Sequence, residues 1–477
     1  MFDLIIIGGG PGGYMAAERA GHAGLNVLLI EKRTLGGVCL NEGCIPSKTL
    51  LHSAKMLDYS LHGEEYGVSA SQGDGSSVLR AKADEPLPCL ALDHKFVIAR
   101  KNKVVDTLVG GVKALMKSNK VTVVYGKAYI VDSTHVRVGE EVYEGVHLMI
   151  ATGSVPIIPP IDGVAVGIEK GFVLTSREIL DLEEVPKNLV VIGGGVVGLE
   201  MASYYNSAGS NVTVIEMLPK IAGTVDNEIS TLLLKSYRKK GIEFLLDTKV
   251  TSITENSARQ GDGSSVLLTK FCETDEPSSC LADKVLLAIG RKPLIDGFGL
   301  ENLDLVIEKG AVKTDLHGLT GLPNVYAVGD VNGKYMLAHA AYREAEVAVN
   351  HMLGRRDVMR YDAVPSVIYT SPEVACVGET DDGAKARGID AAAVMIPMVY
   401  SGRYIAENAV TDGVCKLVID KARRSILGVH LYGSYASEII VTACMMIEMD
   451  MRIEDVQKII FPHPTVSEII REAVFRL

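Results

Sequence analysis

Two copies of one pattern, a strand, a glycine turn, a helix and a second strand ending in an acid, predict an α/β fold with two doubly wound parallel sheets. A C-terminal stretch that lacks the pattern predicts a further α+β domain. The length agrees: 477 residues exceed what one hydrophobic core serves, so two to four domains are expected.

The first copy opens the chain. Residues 4–13, LIIIGGGPGG, give an apolar strand ending in glycines, residues 14–24 are alanine-rich and helical, and residues 25–32, LNVLLIEK, form a second strand. Gly8, Gly10 and Gly13 have the spacing GxGxxG. The first glycine permits the tight turn, and the second lets a pyrophosphate approach the backbone. The third packs helix on strand, with phosphate at the helix N-terminus. Glu31 ends the second strand, where a carboxylate takes ribose hydroxyls.

The grammar returns at residues 188–217 with Gly193, Gly195, Gly198 and Glu216. Gly8 and Glu31 stand twenty-three residues apart, as do Gly193 and Glu216. A lone GxGxxG is weak, but two copies with matching strand, helix and acid predict two dinucleotide-binding, Rossmann-like domains. The carboxylate of Glu216 would repel a 2′-phosphate, and no arginine follows it in MLPK, so NAD is expected there rather than NADP.

Between the first copy and the next helical stretch lies GGVCLNEGCIPSKTLLHSA, residues 36–54. Cys39 and Cys44 are close enough to bridge across one turn of chain. The text from Ile45 onward predicts a helix, with Pro46 in its first turn, where the missing N–H costs nothing. Cys44 then sits near a helix N-terminus that favours a thiolate, and the pair becomes a candidate redox disulfide. Lys48 follows one turn along the same face. Glu200 lies at the start of the second glycine-turn helix. Together they could hold positive charge where a reduced flavin gains negative charge.

Further along, NVYAVGDVNG (residues 324–333) is a strand ending in Gly329–Asp330, which puts a carboxylate at a strand's C-terminal edge, where such sheets bind ligands. From about Tyr361 the runs SVIYT, AVMIPMVY, VCKLVID and ILGVHLYG predict strands, and the text from Ser434 to the end predicts helix. This α+β region suits an interface or a lid. Within it stands FPHPTVSEII: His463 is held between two prolines, and Glu468 follows five residues later. Thiol–disulfide exchange needs a base, and a histidine oriented by a carboxylate supplies one near neutral pH.

Composition narrows the function classes. With 59 acidic against 48 basic residues the formal charge is −11, which speaks against nucleic acid or an anionic membrane as the main partner. The apolar start lacks a basic n-region, and no run reaches the ~18 apolar residues of a membrane helix, so a cytoplasmic enzyme is expected. The eight cysteines are scattered, none has zinc-site spacing, and no metal is expected. The octapeptide QGDGSSVL occurs at residues 72–79 and 260–267, followed by DEPLPCLA at 84–91 and DEPSSCLA at 275–282. Their Gly, Asp and Ser content predicts surface turns or hairpins, with Cys89 and Cys280 outside the chemistry.

The chain resembles the pyridine nucleotide–disulfide oxidoreductases, and within them the branch that oxidises dihydrolipoamide. The matching pieces are GGGPGGYMAA, GGVCLNEGCIPSK, ATGSVP, IGGGVVGLE, AIGRKP, YAVGDV, LAHAA, YTSPEVACVG and HPTVSE, spread over nearly the whole length. The resemblance implies an FAD-binding domain at 1–150, an NAD-binding domain at 151–284, a central segment at 285–348 completing the FAD site, and a dimerisation domain at 349–477. It implies that Cys39 meets substrate and that Cys44 faces the flavin. Asp330 would bind the ribityl chain, and Lys48, Thr152, Gly153, Gly290, Ala338, His339 and Ala340 would line the cofactors. His463 and Glu468 would act on the partner subunit's Cys39, making a homodimer the active form. The lipoyl group would come from another protein, a lipoyl-bearing carrier of a 2-oxo acid dehydrogenase complex or a glycine-cleavage system. A reductase of low-molecular-weight disulfides such as glutathione remains an alternative. A non-catalytic flavoprotein scaffold is another.

Overall fold

The computed structural model describes residues 1–68, 90–256, 266–272 and 277–477. The chain divides into two compact units, each assembled from three stretches. One comprises Met1–Ser47, Ala99–Ile158 and Ile289–Arg360, and the other Lys48–Ile98, Pro159–Ala288 and Tyr361–Leu477.

In the first unit a parallel sheet runs Thr122–Tyr125, Val27–Glu31, Phe2–Ile7, Glu141–Ile150. The long strand Glu141–Ile150 then pairs parallel with Val325–Ala327, which brings the central segment of the chain into the first sheet. Its opening half turns antiparallel against His135–Val138. Every residue of Val27–Glu31 is buried, as expected of a strand covered on both faces. The helix Pro11–His22 packs on Ala338–Met352. Small residues allow that approach: Ala16, Ala17 and Ala20 are completely buried. Strand order reverses at Phe2–Ile7, so the turn that follows this strand lies at the switch point where ligands enter such sheets.

The second unit repeats the plan with Glu243–Leu245, Asn211–Ile215, Asn188–Ile192, Lys284–Leu287 and Val173–Leu174, all parallel, reversing at Asn188–Ile192. Beside it stands an antiparallel sheet of Lys249–Asn256, Val266–Cys272 and Pro277–Ala282. The second copy of the repeated text contributes to its hairpins, with Leu267 opposite Ala282 and Thr269 opposite Cys280. The first copy, apart from its last residues Leu90 and Ala91, lies outside the described residues.

The C-terminal region is an antiparallel sheet in the order Ser366–Ile368, Val374–Gly378, Ile426–Tyr432, Val414–Asp420, Ala391–Pro397, carrying the helices Ala436–Glu448 and Glu468–Val474. Two details differ from the sequence expectation. Val374–Gly378 is a strand that the sequence reading passed over. The helical text after Ser434 is interrupted at residues 449–452 and again at 457–467, where Pro462 and Pro464 lack the N–H a helix needs. Among the described residues no helix is long and apolar enough to cross a membrane.

Candidate active site

The two glycine turns are built alike. Gly8 has φ +106° and Gly193 φ +107°, a left-handed conformation that a side chain resists. A Cβ on Gly13 would stand 1.8 Å from the Gly8 carbonyl oxygen, and one on Gly198 would stand 2.1 Å from that of Gly193. Gly10 and Gly195 are different: the nearest atom to an added Cβ is 3.7 and 4.0 Å away, so the space in front of both turns stays open. Each acid is tethered twice. Glu31 accepts the Gly9 N–H at 2.8 Å and the Arg33 N–H at 2.7 Å. Glu216 accepts the Gly194 N–H at 2.6 Å and the Leu218 N–H at 2.8 Å. Open room before a helix N-terminus, with a fixed carboxylate at the neighbouring strand end, fits one dinucleotide per unit.

Within the first unit, Asp330 stands beyond the strand Val325–Ala327 and accepts the Ser154 hydroxyl at 2.5 Å. Arg291 donates from Nε to Ser154 Oγ at 2.7 Å and from a terminal nitrogen to the Ser154 carbonyl at 2.8 Å. Burial pushes the Asp330 carboxyl above its ordinary value, against the pull of Ser154 and Arg291. Glu344, almost fully buried, shapes the turn from below: it accepts the Gly329 N–H at 2.6 Å and the Asn332 amide at 2.9 Å. Thr152 donates to the Leu294 carbonyl at 2.8 Å, Gly153 and Gly290 take left-handed φ of +74° and +113°, and Ala338, His339 and Ala340 form the first turn of Ala338–Met352.

Cys39 belongs to the short helix Gly37–Glu42, and Cys44 is the first residue of the 18-residue helix Cys44–Leu61, one position earlier than expected. A helix end favours negative charge at that point. Lys48 follows one turn on, and its Nζ lies 2.9 Å from both carboxylate oxygens of the buried Glu200. Glu200 Oε1 also accepts the Tyr369 N–H at 3.1 Å. Cys39 and Cys44 belong to the first unit, whereas Lys48, Glu200, His463 and Glu468 belong to the second.

His463 and Glu468 are brought together, with Nδ1 3.0 Å from Oε1. The other oxygen of Glu468 accepts the Thr465 N–H at 2.9 Å. That backbone bond, helped by His463, holds the Glu468 carboxyl below its ordinary value. The imidazole side chain is 78% exposed, so the dyad faces outward from its own chain. Four further cysteines are poor nucleophiles. Burial pushes Cys376 and Cys415 up to about 12, and Cys280 and Cys444 up to about 11.

Residues 2–345 match the pyridine nucleotide-disulphide oxidoreductase family, and residues 364–474 match its dimerisation domain. The chain belongs to this family. FAD and NAD are its cofactors, in keeping with the two turns. Over 99% of its length the chain is 36% identical to a dihydrolipoyl dehydrogenase of Mycoplasma pneumoniae, covering 97% of that protein. It is 37% identical to a mitochondrial dihydrolipoyl dehydrogenase of Arabidopsis thaliana, covering 99% of this chain and 89% of the relative. Among solved structures, the HOCl-induced flavoprotein disulfide reductase RclA of Escherichia coli superposes with a TM-score of 0.83 at 26% identity, over 99% of both chains.

Arg291, Ser154, Glu344 and Tyr369 are site residues that the sequence reading left without a role. Arg291, Ser154 and Tyr369 stood inside the motifs AIGRKP, ATGSVP and YTSPEVACVG. Glu344 carried no signal, because nothing in the sequence says which turn a helical glutamate faces.

Proposed function

We propose that this chain oxidises protein-bound dihydrolipoamide to lipoamide with NAD⁺ as electron acceptor. The observation that carries the reading is the Cys44–Lys48–Glu200 arrangement, a cysteine at a helix's first residue one turn before an ion-paired lysine, in a chain whose full-length relatives include dihydrolipoyl dehydrogenases. The tethered Glu216 supports NAD over NADP.

The chain's own residues do the thiol chemistry. One thiolate of dihydrolipoamide attacks Cys39 Sγ in a Cys39–Cys44 disulfide, forming a mixed disulfide and releasing Cys44 as the thiolate. The second substrate thiol then attacks the mixed bond, closing the lipoamide disulfide and releasing Cys39. Two electrons are thereby passed from the substrate sulfurs to the cysteine pair, and of the two protons the substrate thiols lose, His463, oriented by Glu468, takes the first and hands it to Cys39 as that sulfur is released, then holds the second. Bound FAD supplies the path by which the electron pair reaches NAD⁺. Gly8, Gly10, Gly13, Glu31, Thr152, Gly153, Gly290, Asp330, Ala338, His339 and Ala340 hold FAD, while Gly193, Gly195, Gly198 and Glu216 hold NAD. Lys48, kept by Glu200, presents its ammonium to the flavin.

The working unit is a homodimer in which His463 serves the partner subunit's Cys39. Support comes from the outward-facing imidazole and from an exposed apolar stripe, Val441 and Met445 on Ala436–Glu448 and Met449 just beyond it, at helical spacing. The domain limits are those the resemblance implies, 1–150, 151–284, 285–348 and 349–477. The partner is a lipoyl-bearing carrier protein and the compartment the cytoplasm. An anaerobic assay tests the reading. NAD⁺ reduction by dihydrolipoamide, fast relative to NADP⁺ and absent in Cys44→Ser, is expected. Turnover of glutathione disulfide with NADPH in preference to dihydrolipoamide with NAD⁺ would overturn it.

A further inference from the structure

Lys48 is held from two directions by groups of its own unit. Both carboxylate oxygens of Glu200 lie 2.9 Å from its Nζ, and the centroid of the Tyr369 ring lies 4.6 Å from the same nitrogen. Tyr369 also donates its backbone N–H to Glu200 Oε1 at 3.1 Å. One residue therefore touches both members of the ion pair, the carboxylate through its backbone and the ammonium through its ring.

That double contact answers a physical need. A lysine ends in a compact charge on a flexible stem, and a single carboxylate fixes the distance of Nζ but not its direction. The Lys48 side chain is 30% exposed, so the protein does not confine it by packing alone. An aromatic face within about 6 Å attracts a cation along the ring normal and adds a second fixed direction. The ring is poorly placed for a core role, since Tyr369 is 40% exposed. Its position follows from the chain: it comes directly after the strand Ser366–Ile368, whose Ile368 is buried.

We propose that Tyr369 is a positioning residue for the reaction, its N–H and ring face together holding the Lys48–Glu200 pair in one arrangement and so fixing where the Lys48 charge stands. The ring does this, and the phenol hydroxyl is not required. The inference rests on the function proposed above, in which Lys48 serves the flavin.

The test uses the holoenzyme, with flavin content and thermal unfolding checked for each variant. Tyr369→Leu removes the ring and keeps the N–H. It is expected to lower kcat for NAD⁺ reduction about two- to tenfold. The KM for dihydrolipoamide should stay within about twofold of wild type. The flavin midpoint potential should move negative, because a loosened ammonium stabilises the reduced cofactor less. Tyr369→Phe should restore both readouts. In a Lys48→Met background Tyr369→Leu should add nothing. Should the leucine variant lose its flavin, Tyr369→Met, of similar volume but longer and more adaptable, carries the same comparison. A potential and a kcat unchanged in the leucine variant would overturn the proposal. So would a phenylalanine variant as impaired as leucine, or an undiminished effect without Lys48. If wild type fails to oxidise dihydrolipoamide, the function proposed above falls, while the midpoint potentials still decide the role of Tyr369.

Discussion

The first and second glycine turns share a backbone and differ in what they present. Both take a left-handed first glycine, both cap their helix with an extended glycine at φ −76°, and both tether an acid to the turn and to the residue two places on. The divergence begins in the helix. Where the first has Tyr14 and Met15, the second has Leu199 and the buried Glu200, which binds Lys48. The cysteines follow the first turn and belong to its unit, whereas the His463–Glu468 dyad belongs to the unit of the second. The shared part suits what two dinucleotides have in common, a pyrophosphate and a ribose. In the function proposed above, the first turn serves a cofactor that stays and takes electrons, and the second one that comes and leaves.

The sharpest way to break that comparison is to block each turn in turn. Gly13→Ala forces a Cβ to within 1.8 Å of a carbonyl oxygen and should cost about 3 kcal/mol or more locally, giving protein without flavin. Gly198→Ala meets the same obstacle at 2.1 Å but should leave the flavin in place and abolish NAD⁺ reduction. Visible absorbance per chain checks both. Loss of flavin in the Gly198 variant would mean the turns are not assigned as proposed.

Next in size is a tie on the side of the second turn. Lys416, buried on the strand Val414–Asp420, contacts Asp226 and Asp381 at 2.8 Å and Glu228 at 2.7 Å. Asp226 also caps the helix Asn227–Lys239. Lys416→Met strands the buried Asp226 charge and should lower stability by about 3–5 kcal/mol, read by thermal unfolding. The dihydrolipoamide KM should not change.

A dyad outside both turns provides a control. Glu468→Gln should reduce kcat about a hundredfold by loosening His463, with flavin content and NAD⁺ affinity intact. The sign of the wild-type pH effect follows from the lowered Glu468 carboxyl. Its bonds to Thr465 and His463 are fully present above the ordinary value of 4.5 and are lost only as pH falls through the lower, folded value. Glu468 therefore contributes nothing to a fall in rate between about pH 5.5 and 7. An acid limb in that window that disappears in Glu468→Gln would contradict this.

The smallest effect sharpens the difference in ligand. Glu216→Ala removes a charged acceptor for ribose hydroxyls and should raise the KM for NAD⁺ about tenfold, with flavin unaffected.

What the sequence disclosed was local. Both turns, their acids, the cysteine helix and the His463–Glu468 spacing lie within about thirty residues of one another in each case, and spacing alone carries them. What stayed hidden was non-local. The strand before Gly329–Asp330 was legible, but its pairing with Glu141–Ile150 joins segments far apart in the chain and was not. The strand Val374–Gly378 was masked by the preceding Ser371 and Pro372, which read as loop. Glu344 and Tyr369 act through contacts that depend on which helix or strand end faces them. A helical glutamate and a strand-end tyrosine look ordinary until the fold supplies their partners.

The most direct test of the central claim is differential alkylation of all eight cysteines, read by mass spectrometry, before and after anaerobic addition of dihydrolipoamide. The account predicts that Cys39 and Cys44 alone pass from protected to reactive, since burial keeps Cys376, Cys415, Cys280 and Cys444 far from ionised. Reactivity gained at a different pair, or at none while NAD⁺ is still reduced, would contradict it.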